Sequence, residues 1–252
     1  MKKLSLLLII CFSVVGFSYG QHPEIPNREQ LEQYNSYIHK FEPKSCWKYV
    51  YYLIDGLVIK QENYCKRELM HRTEFKYDSF GNVISEIDTY DFKEGKKKDT
   101  LNHKLEYNDS LLVLKEFDFG TTEKYFDFNE SGKPKLIERI ENSAFKTLPY
   151  KEMMKYNKKG NVIISTEFSI YEDLNGKTVN EKATTYYKYD DRNNEIEIHR
   201  EYEPKQEFPI PITGGPFLYE YEYFRYKYNK NGLWTKKYKT VDGKEYLIAK
   251  RK

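Results

Sequence analysis

The residues of this chain with the types and spacing for chemistry fall into three groups: acids beside a proline-rich stretch, five scattered histidines, and a run of tyrosines. Glu201, Glu203, Glu207 and Glu220 surround residues 204–217. Two carboxyl groups facing one substrate can divide the acid and base work of cleaving a glycosidic bond. These four acids therefore define one reading, a hydrolase of an envelope polymer with a carboxylate pair near the 204–217 loop. Such pairs are made in space, and elsewhere the carboxylates alternate with lysines, as solvated faces do. The histidines offer less. His22, His39, His71, His103 and His199 never stand in an HExxH pattern or beside a second ligand at metal spacing. His199 lies in Ile196-Glu197-Ile198-His199-Arg200-Glu201, where alternation sends it to the polar face. Neither a Gly-x-Ser-x-Gly elbow nor a phosphate-cradling glycine loop occurs. The chain reads as a non-enzyme that needs no cofactor and no metal.

The tyrosines read first as packing and second as a binding surface. In Tyr219-Glu220-Tyr221-Glu222-Tyr223-Phe224-Arg225-Tyr226-Lys227-Tyr228, the first three tyrosines share one face, and Phe224, Tyr226 and Tyr228 share another. A bulge near Tyr223 accounts for the change of parity. Such a ladder serves cross-strand packing, or it forms a platform for a glycan or a peptide. Phe217, Tyr219, Tyr221, Tyr223 and Trp234 are the candidate ligand-binding residues.

Strands joined by a recurring turn must position these groups. An aromatic residue, then Asp or Asn, two loose positions and Gly recur as Tyr77-Asp78-Ser79-Phe80-Gly81, Phe128-Asn129-Glu130-Ser131-Gly132, Tyr156-Asn157-Lys158-Lys159-Gly160 and Tyr228-Asn229-Lys230-Asn231-Gly232. Tyr189 to Asn193 is a fifth copy with Asn in the glycine place, and Tyr107 to Leu111 a decayed sixth that closes on Asn108-Asp109. The Asp or Asn side chain accepts backbone N–H bonds, and the fourth turn position needs positive φ, which Gly and then Asn tolerate best. Gly81, Gly132, Gly160 and Gly232 are thus the turn glycines. Short turns at Asp55-Gly56, Glu94-Gly95, Asn175-Gly176 and Asp242-Gly243 form a second set, placed on the opposite edge. The predicted fold is all-β: an extended antiparallel meander of hairpin repeats, forming a single curled or twisted sheet of roughly a dozen strands. Residues 204–217, with four prolines and two glycines, form an irregular loop.

Residues 1–20 read as a signal peptide, with Lys2 and Lys3, an apolar run and Ser18-Tyr19-Gly20 before the cut. Its removal leaves no stable membrane span and lowers the formal charge from +3 to +1, since residues 1–20 hold no acid. A balanced surface gives no signal for nucleic acid. The expected partner is an envelope protein or a glycan, and the expected location is the periplasm, the outer surface or the medium. Residues 21–45 are predicted to hold one short helix, with Asn27 as cap and Leu31, Tyr34, Ile38 and Phe41 at helical spacing. Residues 46–252 form the repeat domain. Two-residue closure at Asp55-Gly56 sets Cys46 opposite Cys65, a disulfide candidate in an exported chain.

The pieces Lys76-Tyr77-Asp78-Ser79-Phe80-Gly81-Asn82-Val83, Lys155 to Val162, Lys188-Tyr189-Asp190 and Lys227 to Lys236 resemble the YD repeats of the Rhs family, in the degenerate form of exported bacterial envelope proteins. The likeness covers residues 70 to 240 in patches. It implies a β-hairpin sheet that spirals or curls, sometimes as a shell around a toxin. This chain differs in its few, unevenly spaced repeats. What the resemblance implies here is the fold type and a non-enzymatic binding or scaffold role in the envelope.

Overall fold

The computed structural model describes residues 36–39, 46–90, 95, 97–118, 120–141, 150–172, 176–211 and 217–251. The expected signal peptide lies outside these residues. The strands, in chain order, are β1 (Ser36–His39), β2 (Trp47–Ile54), β3 (Leu57–Cys65), β4 (Glu68–Tyr77), β5 (Val83–Tyr90), β6 (Lys97–Asn108), β7 (Leu111–Phe117) and β8 (Thr121–Phe128). They continue as β9 (Pro134–Glu141), β10 (Tyr150–Tyr156), β11 (Val162–Glu172), β12 (Thr178–Tyr189), β13 (Glu195–Glu203), β14 (Tyr221–Tyr228), β15 (Trp234–Val241) and β16 (Lys244–Arg251). Each pairs antiparallel with its neighbours in sequence, and β1 pairs with both β2 and β16.

That closure goes beyond the extended, curled or twisted single sheet expected from the repeat. Among the described residues, sixteen strands form a closed barrel. An open ribbon would leave two rows of unpaired backbone groups, and β1 pairs with part of each, Tyr49–Tyr52 of β2 and Ala249–Arg251 of β16. Tyr37 lies opposite Arg251 on one side and Tyr51 on the other. The same pairing overturns the N-terminal helix where it can be seen: Ser36–His39 is a strand, and the remainder of the expected helix lies outside the described residues. Four apolar residues at helical spacing were a weak signal against the demand of two sheet edges for a partner.

The long turns form as local chemistry requires. Asp78 Oδ1 accepts the backbone N–H of Phe80 at 2.9 Å and of Asn82 at 2.8 Å. Asn129, Asn157, Asp190 and Asn229 repeat this pattern. Gly81, Gly132, Gly160 and Gly232 have φ between +73° and +83°, and Asn193 has φ +64°. The decayed copy closes one residue later than expected, on Asp109-Ser110, both at positive φ. Asp55-Gly56 lies on the same rim as the long turns, because β3 turns back at Lys66-Arg67 without a glycine. Register shifts recur just before the aromatic anchors, at Lys76/Tyr77, Glu106/Tyr107, Lys155/Tyr156, Lys188/Tyr189 and Lys227/Tyr228.

The tyrosine anchors tie each turn to the preceding one. Tyr156 Oη donates to the Pro134 carbonyl at 2.6 Å, and Tyr189 Oη to the Val162 carbonyl at 2.7 Å. Tyr107 and Tyr228 donate to the turn carboxylates of Asp78 and Asp190. Cations reach the other way: Lys133 Nζ donates to the Gly160 carbonyl at 2.6 Å, and Lys159 Nζ to the Asp191 carbonyl at 3.1 Å. The repeat is therefore a tertiary device as well as a local turn. Gly160→Val is expected to cost on the order of 1–2 kcal/mol, since the added Cβ meets positive φ and lies 3.4 Å from Lys133 Nζ. Lys159→Val, one residue earlier, is expected to cost less than half as much. Equal shifts in melting temperature for the two variants would contradict this placement.

Register and burial together define the two walls. Inward positions include Thr73, Lys115, Glu123, Arg139, Glu222, Lys237 and Arg251, all buried. Apolar packing is confined to small clusters, such as Tyr51, Leu53, Trp234 and Ala249, or Tyr125, Ile137 and Met154. The outer wall carries cross-strand ion pairs, among them Lys151 with Glu138 at 2.7 Å and Lys182 with Glu203 at 2.9 Å. A lipid-facing barrel would present an apolar band there, where charges are costly. Exposed apolar side chains, among them Phe126, Met153 and Phe168, stand between these charges.

Candidate functional site

The structure separates the residues that sequence grouped as ligand-binding. Tyr221 and Tyr223 are each 46 % exposed on the outer wall, and Phe217 is 47 % exposed. Tyr219 is half-buried, with Lys239 Nζ 4.9 Å from its ring centroid. Trp234 is 3 % exposed, packed in the barrel with the Arg251 guanidinium 3.7 Å from its ring centroid, and does not join the platform. The parity change expected near Tyr223 needs no bulge. Odd residues of β14 face out and even ones face in, and the register shift comes later, at Lys227/Tyr228.

What the sequence missed is that the outer tyrosines continue across two more strands. Tyr186 on β12 lies opposite His199 on β13, and His199 lies opposite Tyr221 on β14. The Tyr186 and His199 rings are 5.4 Å apart at 20°, and those of His199 and Tyr221 are 4.3 Å apart at 5°. Tyr223 lies 6.2 Å from Tyr221 with its ring parallel within 8°. Tyr186 Oη donates to Glu201 Oε2 at 3.0 Å, and Lys188 meets Glu197 at 2.7 Å beside the stack. Alternation did send His199 outward. Its partners became visible only with the register, which the shift at Lys188/Tyr189 displaces by one residue. The stack spans the β13–β14 seam, which has three ladder pairs. Aromatic cross-strand contacts stabilise such a seam.

The acids proposed as a hydrolytic pair lie at the surface. Glu201, Glu203, Glu207 and Glu220 are all exposed, with Glu203 bound to Lys182 and Glu201 accepting from Tyr186. The carboxyls that do face each other are inside: Glu152 on β10 and Glu167 on β11 are direct register partners. Ser165 Oγ donates to Glu152 Oε1 at 2.8 Å, and Tyr150 hydrogen-bonds Glu167. Burial, and then the neighbouring Glu152, push Glu167 up to about 7. Burial raises Glu152 as well. No sequence motif marks this pair, because the one-residue shift at Lys155/Tyr156 brings the two glutamates opposite each other. His103 with Glu86 at 2.9 Å and His71 with Asp88 at 3.1 Å are isolated pairs, and among the described residues no group of three or more potential metal ligands gathers.

The pair has a consequence for stability. An acid whose pKa is raised on folding contributes stability that is full below its unfolded value and is lost as pH rises through the folded value. For Glu167 that window runs from 4.5 to about 7. Glu62 acts oppositely. Burial raises it, but hydrogen bonds from Tyr64 and Tyr52 and the charge of Lys60 bring it down to about 2, so its contribution is present above 4.5 and fades in acid. Thermal unfolding is therefore expected to show a fall in stability between pH 5 and pH 8, with Glu167→Gln flattening that fall and gaining on the order of 2 kcal/mol over wild type at pH 8. A variant with the wild-type slope would show that Glu167 stays ionised throughout.

No family model matches the chain, and no curated protein does. Among solved structures it is similar to a porin-like protein from Bacteroides uniformis, at 12 % identity over 87 % of this chain and 97 % of that one, with a TM-score of 0.40. It is also similar to the Tc holotoxin pore of Photorhabdus luminescens, at 16 % identity and a TM-score of 0.34, over 81 % of this chain and 11 % of that one. A third similarity is to TcdB2-TccC3 without its hypervariable C-terminal region, at 11 % identity and a TM-score of 0.25, over 81 % of this chain and 12 % of that one. The chain thus spans about a tenth of the toxin chains it matches. With every TM-score below 0.5, these similarities carry no inference about function.

Proposed function

We propose that this chain is an exported, non-enzymatic binding or scaffold protein of the cell envelope, a barrel of YD-like hairpins that offers its outer wall to a partner. The observation that carries the reading is the outer aromatic tract Tyr186, His199, Tyr221 and Tyr223, continuous across β12 to β14, half-buried over its first two rings and exposed over the last two. Large aromatics left in water beside ion pairs such as Lys188 with Glu197 mark an interaction surface. The inner wall is engaged with itself: Glu222 takes Arg200 at 2.6 Å and Lys239 at 2.9 Å, and Glu123 takes Arg139. The Cys46–Cys65 disulfide suits an oxidising compartment.

Cell fractionation with thiol labelling tests the location, and recovery of the mature chain in the cytoplasm with both thiols free would overturn it. Capture from envelope extract tests the surface. Wild type is expected to retain a partner that the Tyr221→Ser/Tyr223→Ser double variant loses, and identical capture by both would remove the outer wall as the binding face.

A further inference from the structure

Resting on that reading of the outer wall, we propose that Tyr221 and Tyr223 form a two-ring platform for a neutral glycan of β-linked pyranose units. The geometry of the rings comes first. His199 and Tyr221, 4.3 Å apart at 5°, can only be face to face, so the ring normals there run across the strands. Tyr223 is two residues along the same strand and parallel to Tyr221 within 8°. Two strand residues advance about 6.6 Å, close to the 6.2 Å between the two centroids. The two phenols therefore stand side by side in nearly one plane, as a short flat wall along β14. On the β13 side, His199 covers Tyr221, and Glu197 is the register partner of Tyr223. On the β15 side the partner of Tyr223 is Thr240, a small side chain that leaves the ring face open.

A pyranose with equatorial substituents presents axial C–H groups on its faces and hydroxyls at its rim. Flat phenol faces match the first, and phenol hydroxyls and the Glu197 carboxylate match the second. Charge selects against ionic ligands. Lys188 is held by Glu197 at 2.7 Å, and Arg225 by Glu245 at 2.5 Å, so these two cations beside the platform are already paired. Geometry selects against peptides. The strand that carries the platform, β14, is already paired on both sides and offers no edge to an added strand, and a helix needs an apolar groove, whereas the register neighbours of Tyr223 are Glu197 and Thr240.

The test is titration of the full mature chain with four hexasaccharides: β-1,4-linked glucose, β-1,4-linked N-acetylglucosamine, anionic oligogalacturonate and cationic chitosan. Binding is expected for at least one neutral β-linked hexamer and not for the charged ones. Tyr223→Ser is expected to weaken it at least tenfold with at most a small change in melting temperature, because Tyr223 stands at the end of the aromatic tract and is 46 % exposed. Tyr223→Phe, which keeps the ring face, is expected to stay within a few-fold of wild type and covers the case of a serine variant that fails to fold. Binding of charged hexamers only, no binding of any, or neutral binding unaffected by Tyr223→Ser would each overturn the glycan assignment. Should envelope capture still depend on Tyr221 and Tyr223 while every hexamer fails, the ligand class falls and the outer-wall reading stands. Loss of both removes the surface altogether.

Discussion

Arg139→Met is expected to be the most destabilising single substitution in the barrel, costing about 3–5 kcal/mol in denaturant unfolding. Arg139 is 7 % exposed and Glu123 2 %. Arg139 Nε donates to Glu123 Oε1 at 2.8 Å, while Tyr125 Oη donates to Glu123 Oε2 at 2.6 Å. Arg139 also lies near the Glu152 and Glu167 carboxyls, which its charge favours in ionised form. Removing the guanidinium leaves a buried carboxylate without its main counter-charge, and that desolvation penalty outweighs whatever the pair contributed when intact. The distinguishing outcome is the double variant. Glu123→Gln/Arg139→Met removes both charges, so it is expected to recover a large part of the loss, and the coupling energy between the two sites is expected to exceed 1 kcal/mol. Additive losses would mean that the two side chains stabilise the wall independently.

Reducing the Cys46–Cys65 bond, or replacing both residues with Ser, is expected to cost about 3 kcal/mol. The bridge spans 19 residues with the two Cα atoms 4.9 Å apart. It constrains the unfolded hairpin β2–β3, and β2 is the strand on which β1 closes the barrel. The loss should therefore appear as lower stability with an unchanged fold. The Ser/Ser variant and the reduced wild type are expected to unfold at the same denaturant concentration. A loss below about 0.5 kcal/mol would assign the bridge to protection from oxidation or proteolysis rather than to folding.

The disulfide also shows how far register could be taken from sequence. Closure at Asp55-Gly56 placed Cys46 opposite Cys65, and the bond is present. Its register is one residue off, because a shift at Tyr52/Leu53 sets Trp47 opposite Cys65. Neighbouring positions tolerate that slip, since a cysteine bridge needs proximity and not exact opposition. The aromatic stack and the Glu152–Glu167 pair do not tolerate it, and each emerged only with the shift near Tyr189 or Tyr156 in place. The buried acids were unreadable for a related reason. Lys151, Met153 and Lys155 face water while Tyr150, Glu152 and Met154 face in, so lysine and glutamate on one strand belong to opposite walls. A solvated face with alternating charge has the same letters.

The sequence by itself determined the turns, the residues that take positive φ in them, and hence the antiparallel hairpins of an all-β chain. These rest on contacts within five residues, such as Asp78 with Phe80 and Asn82, and the information needed is all present locally. Only the tertiary structure decided that the ribbon closes, that Ser36–His39 is a strand, and that Trp234 is core while Tyr186 and His199 extend the outer aromatic tract. Those outcomes depend on pairing between opposite ends of the chain, as with Tyr37 and Arg251, and on one-residue shifts that exchange the two faces of a strand.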